Sequence, residues 1–148
     1  MGLIIRTDKA PQPAAAYAQA VVGGDMIFVS GQGAMNPATS SIDAISIEEQ
    51  VTQALRNVVA IVETAGGSKE NIVRCGVFLA DLNDFAAMNQ AYKKCFGATL
   101  PARTTVQAGL GTLCVEIDAI AVRRRMRARG QTTKSHRLAA TAKPRRRS

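Results

Sequence analysis

The sequence contains a single histidine, His136, and it stands near the carboxyl end among arginines and lysines. A Ser-His-Asp triad, a Cys-His pair and histidine-ligated metals are therefore all absent from the rest of the chain. No carboxylate cluster has metal-site spacing, so no metal site is expected. Gly31-Gln32-Gly33 follows a strand pattern but lacks a third glycine and a following helix, which argues against a dinucleotide site. Cysteines are few: Cys75, Cys95 and Cys114 are an odd number and widely spaced, with neither zinc-ligand nor redox-motif spacing. Each falls in a segment read below as strand or helix, so buried, reduced thiols are expected. No apolar run approaches the roughly 20 residues needed to cross a bilayer. Met1–Arg6 has no signal-peptide apolar core, and Arg6 occupies the position where a myristoylation motif requires Ser or Thr. The expectation is a cytoplasmic protein with no membrane contact.

Acidic residues are missing from one end. All 11 lie before Arg123, alongside eight basic residues, which gives that body a net charge of −3 although the whole chain carries +8. The other eleven basic residues crowd into 123–148. After Met126 that segment has almost no large apolar residues, too few to offset ordering entropy by burial. It reads as a disordered basic tail, distinct from a domain spanning 1–122. Such a tail is either simply solvated or an electrostatic contact for nucleic acid or anionic surfaces. No aromatic residue falls among its arginines, so it offers no platform for stacking bases. Lys143–Arg147 also passes as a nuclear-import pattern.

What is present is an orderly alternation of strand and helix signals. Ala18–Val22 and Met26–Ser30 flank Gly23-Gly24-Asp25, a hairpin signal, and a loop follows Ser30. Ser46-Ile47-Glu48-Glu49 is a capping box opening a helix, with Ile47, Val51, Ala54, Leu55, Val58, Ile61 and Val62 on one face. Gly66-Gly67 ends that helix. Val73–Leu79 predicts a strand, and Asp81 or Asn83 caps a second helix with Phe85, Met88, Tyr92 and Phe96 on its apolar face. Gly97 closes it. Ala102–Ala108 and Leu113–Val122 predict two long strands joined as a hairpin through Gly109–Thr112. Two strand–helix–strand units with added hairpins make an α+β two-layer sandwich, with both helices covering one face of the sheet. In the last strand Val115, Ile117, Ala119 and Ala121 suit the helix layer. Cys114, Glu116, Asp118 and Ile120 point the other way, a mixed set that suits an oligomer interface with a polar site in it.

Among the remaining side chains, Arg103 stands out. Leu100-Pro101-Ala102-Arg103-Thr104-Thr105-Val106 reads as a strand opened by proline, with one arginine among small and β-branched residues. A guanidinium drawn into such a strand needs an anionic partner of fork geometry. A ligand carboxylate is one such partner, and a structural Asp or Glu is the other.

Several further stretches extend this pattern: Phe28–Gln32, Gln50–Asn57, Phe78–Phe85, Met88–Tyr92 and Val115–Ala121. In this order and spacing, from about Lys9 to Val122, the chain resembles the Rid family of YjgF-type reactive-intermediate deaminases. The resemblance implies a chorismate-mutase-like mixed sheet assembled as a homotrimer with ligand clefts between subunits. It also implies hydrolysis of 2-iminobutanoate and 2-iminopropanoate, products of pyridoxal-phosphate dehydratases, to 2-keto acids and ammonia, without a cofactor. A substrate that is already reactive needs little more than orientation, a positioned water and a proton shuttle.

By position, Arg103 matches the family arginine that binds the substrate carboxylate, and Glu116 the glutamate that orients or activates water. Tyr17 falls where the family has a pocket tyrosine, and Ser30 and Gly31 in a pocket-lining segment. Thr105 stands where relatives often carry cysteine or alanine, and Asn89 matches a helix asparagine near the cleft. The plainer alternatives are a surface or interface carboxylate for Glu116, a core aromatic for Tyr17, a strand end and turn for Ser30-Gly31, and purely structural roles for Thr105 and Asn89. The chain departs from the family pattern at Ala15-Ala16, where Gly-Pro is usual, and at Ala18, where serine is usual. The connection before the last strand is short and carries Gly111 in place of a proline. Two other functional classes fit the same residues. One is a nucleic-acid-associated protein of ribonuclease or translation-inhibitor type, using the tail. The other is a ligand-binding or chaperone-like trimer without turnover.

Overall fold

A computed structural model describes residues 2–123; the basic segment beyond Arg123 lies outside the described residues. Eight strands and two helices follow one another as β1 (Leu3–Ile5), β2 (Ala20–Gly23), β3 (Met26–Gln32), β4 (Met35–Asn36), β5 (Ser41–Ile42), α1 (Ile47–Thr64), β6 (Ile72–Leu79), α2 (Phe85–Phe96), β7 (Ala102–Gln107) and β8 (Val115–Val122). Six of the strands form one mixed sheet in the order β1-β2-β3-β8-β6-β7, and β4 pairs with β5 apart from it. Only β6 and β7 run parallel. The α+β sandwich expected from the sequence is the observed architecture, with α1 and α2 packed on one face.

The helices form where the periodicity places them. Ser46 Oγ accepts from Glu49 N, and the Glu49 carboxylate accepts from the backbone N–H of Ser46, so two orphan donors of α1 are satisfied. The predicted apolar face is buried from Val51 to Val62 and sits on Ile27, Val77, Ile117 and Ala119 of the sheet. Gly66 adopts φ +90°, a left-handed conformation that ends the helix without Cβ strain. Two buried polar residues on the same helix tie down loops. Gln50 Oε1 accepts from Cys114 N at 3.0 Å, and Asn57 Nδ2 donates to the carbonyls of Gly33 and Met35. Each satisfies backbone groups that burial would otherwise leave unpaired.

The structure corrects four local expectations. β7 and β8 are not a hairpin: β6 lies between them, pairing with β7 on one side and β8 on the other. The pairing is set by the crossover through α2, which returns β7 parallel to β6 at the sheet edge and leaves the centre to β8. The loop expected after Ser30 is partly strand, since β3 runs to Gln32 and β4–β5 follow. Asp81 caps a 3-10 turn, Leu82–Asp84, which leads into α2. The three cysteines are free thiols, but Cys95 and Cys114 are only half-buried, and Cys114 precedes β8.

Along β8 burial alternates residue by residue: Val115, Ile117, Ala119 and Ala121 face the helices, while Glu116, Asp118 and Ile120 are half-buried on the open face. That open face also carries Phe28, 48% exposed, and an Arg74–Asp118 ion pair at 2.9 Å.

Candidate functional site: two half-sites on opposite faces of the sheet

Arg103 projects from β7 towards α2. Its register partner on β6 is the buried Cys75, so it shares the helix-side face. Its Nη2 donates to Asn89 Oδ1 at 2.9 Å, and Nη1 lies 3.8 Å from the Met88 sulfur. The guanidinium carbon stands 4.7 Å from the Tyr92 ring centroid and 5.6 Å from that of Phe85. Two aromatic faces and an amide thus fix the fork, and cation–π attraction supports it. None of these partners is an anion, so among the described residues the structural carboxylate that could have explained Arg103 does not appear. The guanidinium opens instead on a cavity of about 410 Å³ lined by Asn89, Tyr92, Lys93, Leu100, Pro101 and Arg103.

Thr105, two residues on, shares this face. Its Oγ1 is buried without a hydrogen-bond partner, as is Tyr92 Oη. Burial pushes both Tyr92 and Cys75 above their ordinary values, so the phenol and the thiol stay neutral.

Glu116 lies on the other face. In β8 it sits opposite Phe78 of β6 and beside Gly31 of β3. Ser30 and Gly31 form a bulge: between Val29 and Gln32 the β3 strand advances three residues while β8 advances two, from Ala119 to Ile117. The Glu116 side chain rests directly on the Gly31 backbone, where any Cβ would collide with its carboxylate. Ser30 Oγ donates to Ala18 O at 2.6 Å, and Ser30 N donates to Gln19 O. These bonds draw the loop bearing Tyr17 alongside the bulge. Tyr17 is 48% exposed, which rules out a core aromatic. That loop is held from below by Gln19, almost wholly buried, which bonds Thr7, Ala10 and Pro11.

The seven residues singled out in the sequence therefore form two groups. Arg103, Asn89 and Thr105 stand on the helix side at the edge of the sheet. Glu116, Ser30, Gly31 and Tyr17 stand on the open face. One chain does not bring them together. Sequence reasoning missed Lys93 and took Tyr92 for core alone. The i, i+4 spacing of Asn89 and Lys93 on α2, facing the arginine strand, was the available signal. Among the described residues no group of histidine, cysteine, aspartate and glutamate could hold a metal ion, and no helix is long and apolar enough to cross a membrane.

The fold is thus an α+β sandwich whose sheet edge carries an arginine held by an amide and two aromatic rings and opening on a cavity. Residues 7–123 match the family model described as Endoribonuclease L-PSP, and the chain belongs to that family, the YjgF-type Rid proteins. It is 41% identical over 122 residues to the 2-iminobutanoate/2-iminopropanoate deaminase of Rattus norvegicus, covering 80% of this chain and 88% of the relative. A RutC family protein of Pyrococcus abyssi is 42% identical, with 80% and 94% covered. Among solved structures, E. coli TdcF with bound serine is 43% identical, with a TM-score of 0.78 and coverage of 82% and 99%.

Proposed function

We propose that this protein hydrolyses 2-imino and 2-enamino acids, such as 2-iminobutanoate and 2-iminopropanoate, to 2-keto acids and ammonia. The observation that carries the reading is Arg103: a guanidinium fixed by Asn89, Tyr92 and Phe85, opening on a cavity and without an anionic partner among the described residues. In the reaction, water adds to the C=N carbon while a proton reaches nitrogen. The C–N bond of the resulting carbinolamine then breaks, ammonia leaves, and the carbinol oxygen becomes the ketone. Arg103 holds the substrate carboxylate, and Glu116 moves protons to and from water and nitrogen. Tyr17, Ser30, Gly31 and Thr105 line the cleft.

The reading requires that Arg103 of one chain meet Glu116 of another. Support comes from their separation on opposite faces and from an open sheet face bearing Phe28, Phe78 and Ile120 that a monomer leaves in water. A homotrimer with three shared clefts satisfies both requirements. No cofactor takes part in this scheme.

The test couples the protein to threonine dehydratase and follows 2-ketobutyrate release from its imine under a nucleophilic trap. Acceleration over the uncatalysed rate supports the reading, and an unchanged rate rejects it. The ribonuclease reading implied by the family model's description has weaker support here, since the body preceding Arg123 carries net negative charge.

A further inference from the structure

The open-face half-site gathers residues from three stretches of chain: Tyr17 from the segment between β1 and β2, Ser30 and Gly31 from the bulge of β3, and Glu116 from β8. The strands are held by their ladders. Residues 6–19 form neither helix nor strand, so the place of Tyr17 depends on other ties. Gln19, at the foot of β2, closes this segment from end to end. Its Oε1 accepts from Thr7 N at 2.7 Å, and its Nε2 donates to the carbonyls of Thr7, Ala10 and Pro11 at 3.0, 3.2 and 2.9 Å. Its own carbonyl accepts from Ser30 N at 3.0 Å.

Four polar side chains are buried among the described residues, and their tasks differ. Gln32 Nε2 braces the bulge itself, donating to Ser30 O and Gly31 O. Gln50 and Asn57 reach from α1 to Cys114, Gly33 and Met35. Gln19, 1% exposed, is the one that bonds the Tyr17 segment with its side chain and the bulge with its backbone. Shape alone does not call for an amide there, since methionine fills similar space. Burying an amide is unfavourable unless it is hydrogen-bonded. Its carbonyl oxygen and amide hydrogens are engaged within the chain, so it serves the segment rather than a ligand.

We infer that Gln19 is a positioning residue of the proposed deaminase site: it sets Tyr17 against Gly31 and Glu116 while touching no substrate. The inference rests on the deaminase reading. Arg103 stands on the opposite face and is held by residues of α2, so carboxylate binding does not pass through Gln19. Loss of the Gln19 amide should therefore depress turnover and spare carboxylate affinity, a split that general destabilisation does not produce.

The experiment compares the full wild-type chain with Gln19→Met, which fills the same space without hydrogen bonds. The readouts are kcat for 2-iminobutanoate, the Kd of 2-ketobutyrate, and amide hydrogen exchange. On substitution kcat should fall about ten- to a hundredfold, the scale set by a displacement of about 1 Å. Kd should stay close to the wild-type value. Exchange should quicken over 7–18 and stay unchanged in α1. Adding Gln19→Met to Tyr17→Ala should cost little more, because both act on the same contact. An unchanged kcat overturns the inference while the deaminase reading stands. So do a Kd that weakens in step with kcat and fully additive costs of the two substitutions. Gln19→Glu keeps the oxygen that accepts from Thr7 N and loses the Nε2 donors, and it replaces Gln19→Met if that variant does not assemble. Failure of both makes Gln19 a folding residue and overturns the inference. If the wild-type chain does not accelerate imine hydrolysis, the deaminase reading falls and exchange decides. Loosening confined to 7–18 would still support Gln19 as the residue that positions Tyr17, and unchanged exchange would reject it.

Discussion

At the scale of single residues, the proposed chemistry is concentrated in Arg103, and its surroundings make substitution there informative. Arg103→Ala removes the fork while leaving Asn89, Tyr92 and Phe85 in place. Losing a charge-assisted pair in a partly desolvated cleft costs about 2–5 kcal/mol, or roughly 30- to several-thousand-fold in kcat/KM. Arg103→Lys should recover little, because an ammonium cannot reproduce bidentate geometry. Circular dichroism and the mass of the assembly check that the fold survives. Gly31 tests the other half-site. Gly31→Ala places a methyl group against the Glu116 carboxylate, so that side chain must swing away. Turnover should fall as it does for Glu116→Gln, while the melting temperature changes little, because the displaced atoms end a flexible side chain at a half-buried site.

Buried Cys75 and Tyr92 give a pH prediction. Both are pushed upward, chiefly by burial, so their neutral forms are favoured in the folded protein. For groups raised in this way the stabilisation is complete below the unfolded values, 9.0 for a thiol and 10.0 for a phenol, and is lost as pH rises past them. Denaturant midpoints should hold through neutral pH and fall between about pH 9 and 10.5. Tyr92→Phe keeps the ring beneath Arg103 but lacks the titrating hydroxyl, so its alkaline fall should be shallower.

At the scale of elements, α1 was almost wholly legible. Its capping box, its apolar stripe and its closing glycines are local features, and each is present where the sequence puts it. Ser46→Ala should cost about 1 kcal/mol and a few degrees of melting temperature, by loss of the cap alone. The alternation of β8 was legible too, because period two separates Val115, Ile117, Ala119 and Ala121 cleanly from Glu116 and Asp118. Strand order was not. β7 and β8 are consecutive in sequence, and only the crossover through α2 puts β6 between them. β1 escaped notice because three residues, Leu3–Ile5, carry too little pattern to distinguish a strand from a tail. The partition of the site was hidden for a related reason. Ala102–Gln107 alternates small and polar residues, so the side taken by Arg103 depends on Met88, Asn89 and Tyr92 of a different element.

For the whole molecule, the proposed homotrimer predicts three times the chain mass by light scattering at micromolar concentration. A stable monomer with full turnover would reject the shared cleft. The proposed division into a catalytic body and a basic tail is tested by truncation after Arg123. Its backbone N–H donates to Asp25 O at 2.7 Å and is best retained. Turnover should persist, and any binding of RNA or DNA should disappear.

The placement of Arg103 and Glu116 on opposite faces carries a genetic consequence. Two different loss-of-function alleles need not be additive in one cell. An Arg103→Ala chain still carries an intact glutamate, and a Glu116→Gln chain still carries an intact arginine. If the two assemble at random in equal amounts, about a quarter of the clefts receive both wild-type side chains. Unfolding and refolding a mixture of the two inactive proteins should therefore restore roughly a quarter of normal turnover, where either protein refolded alone restores almost none. Within a single polypeptide's own cleft no such rescue could occur. Complementation between dead alleles would thus reveal, without any structure of the assembly, that each working site belongs to two chains.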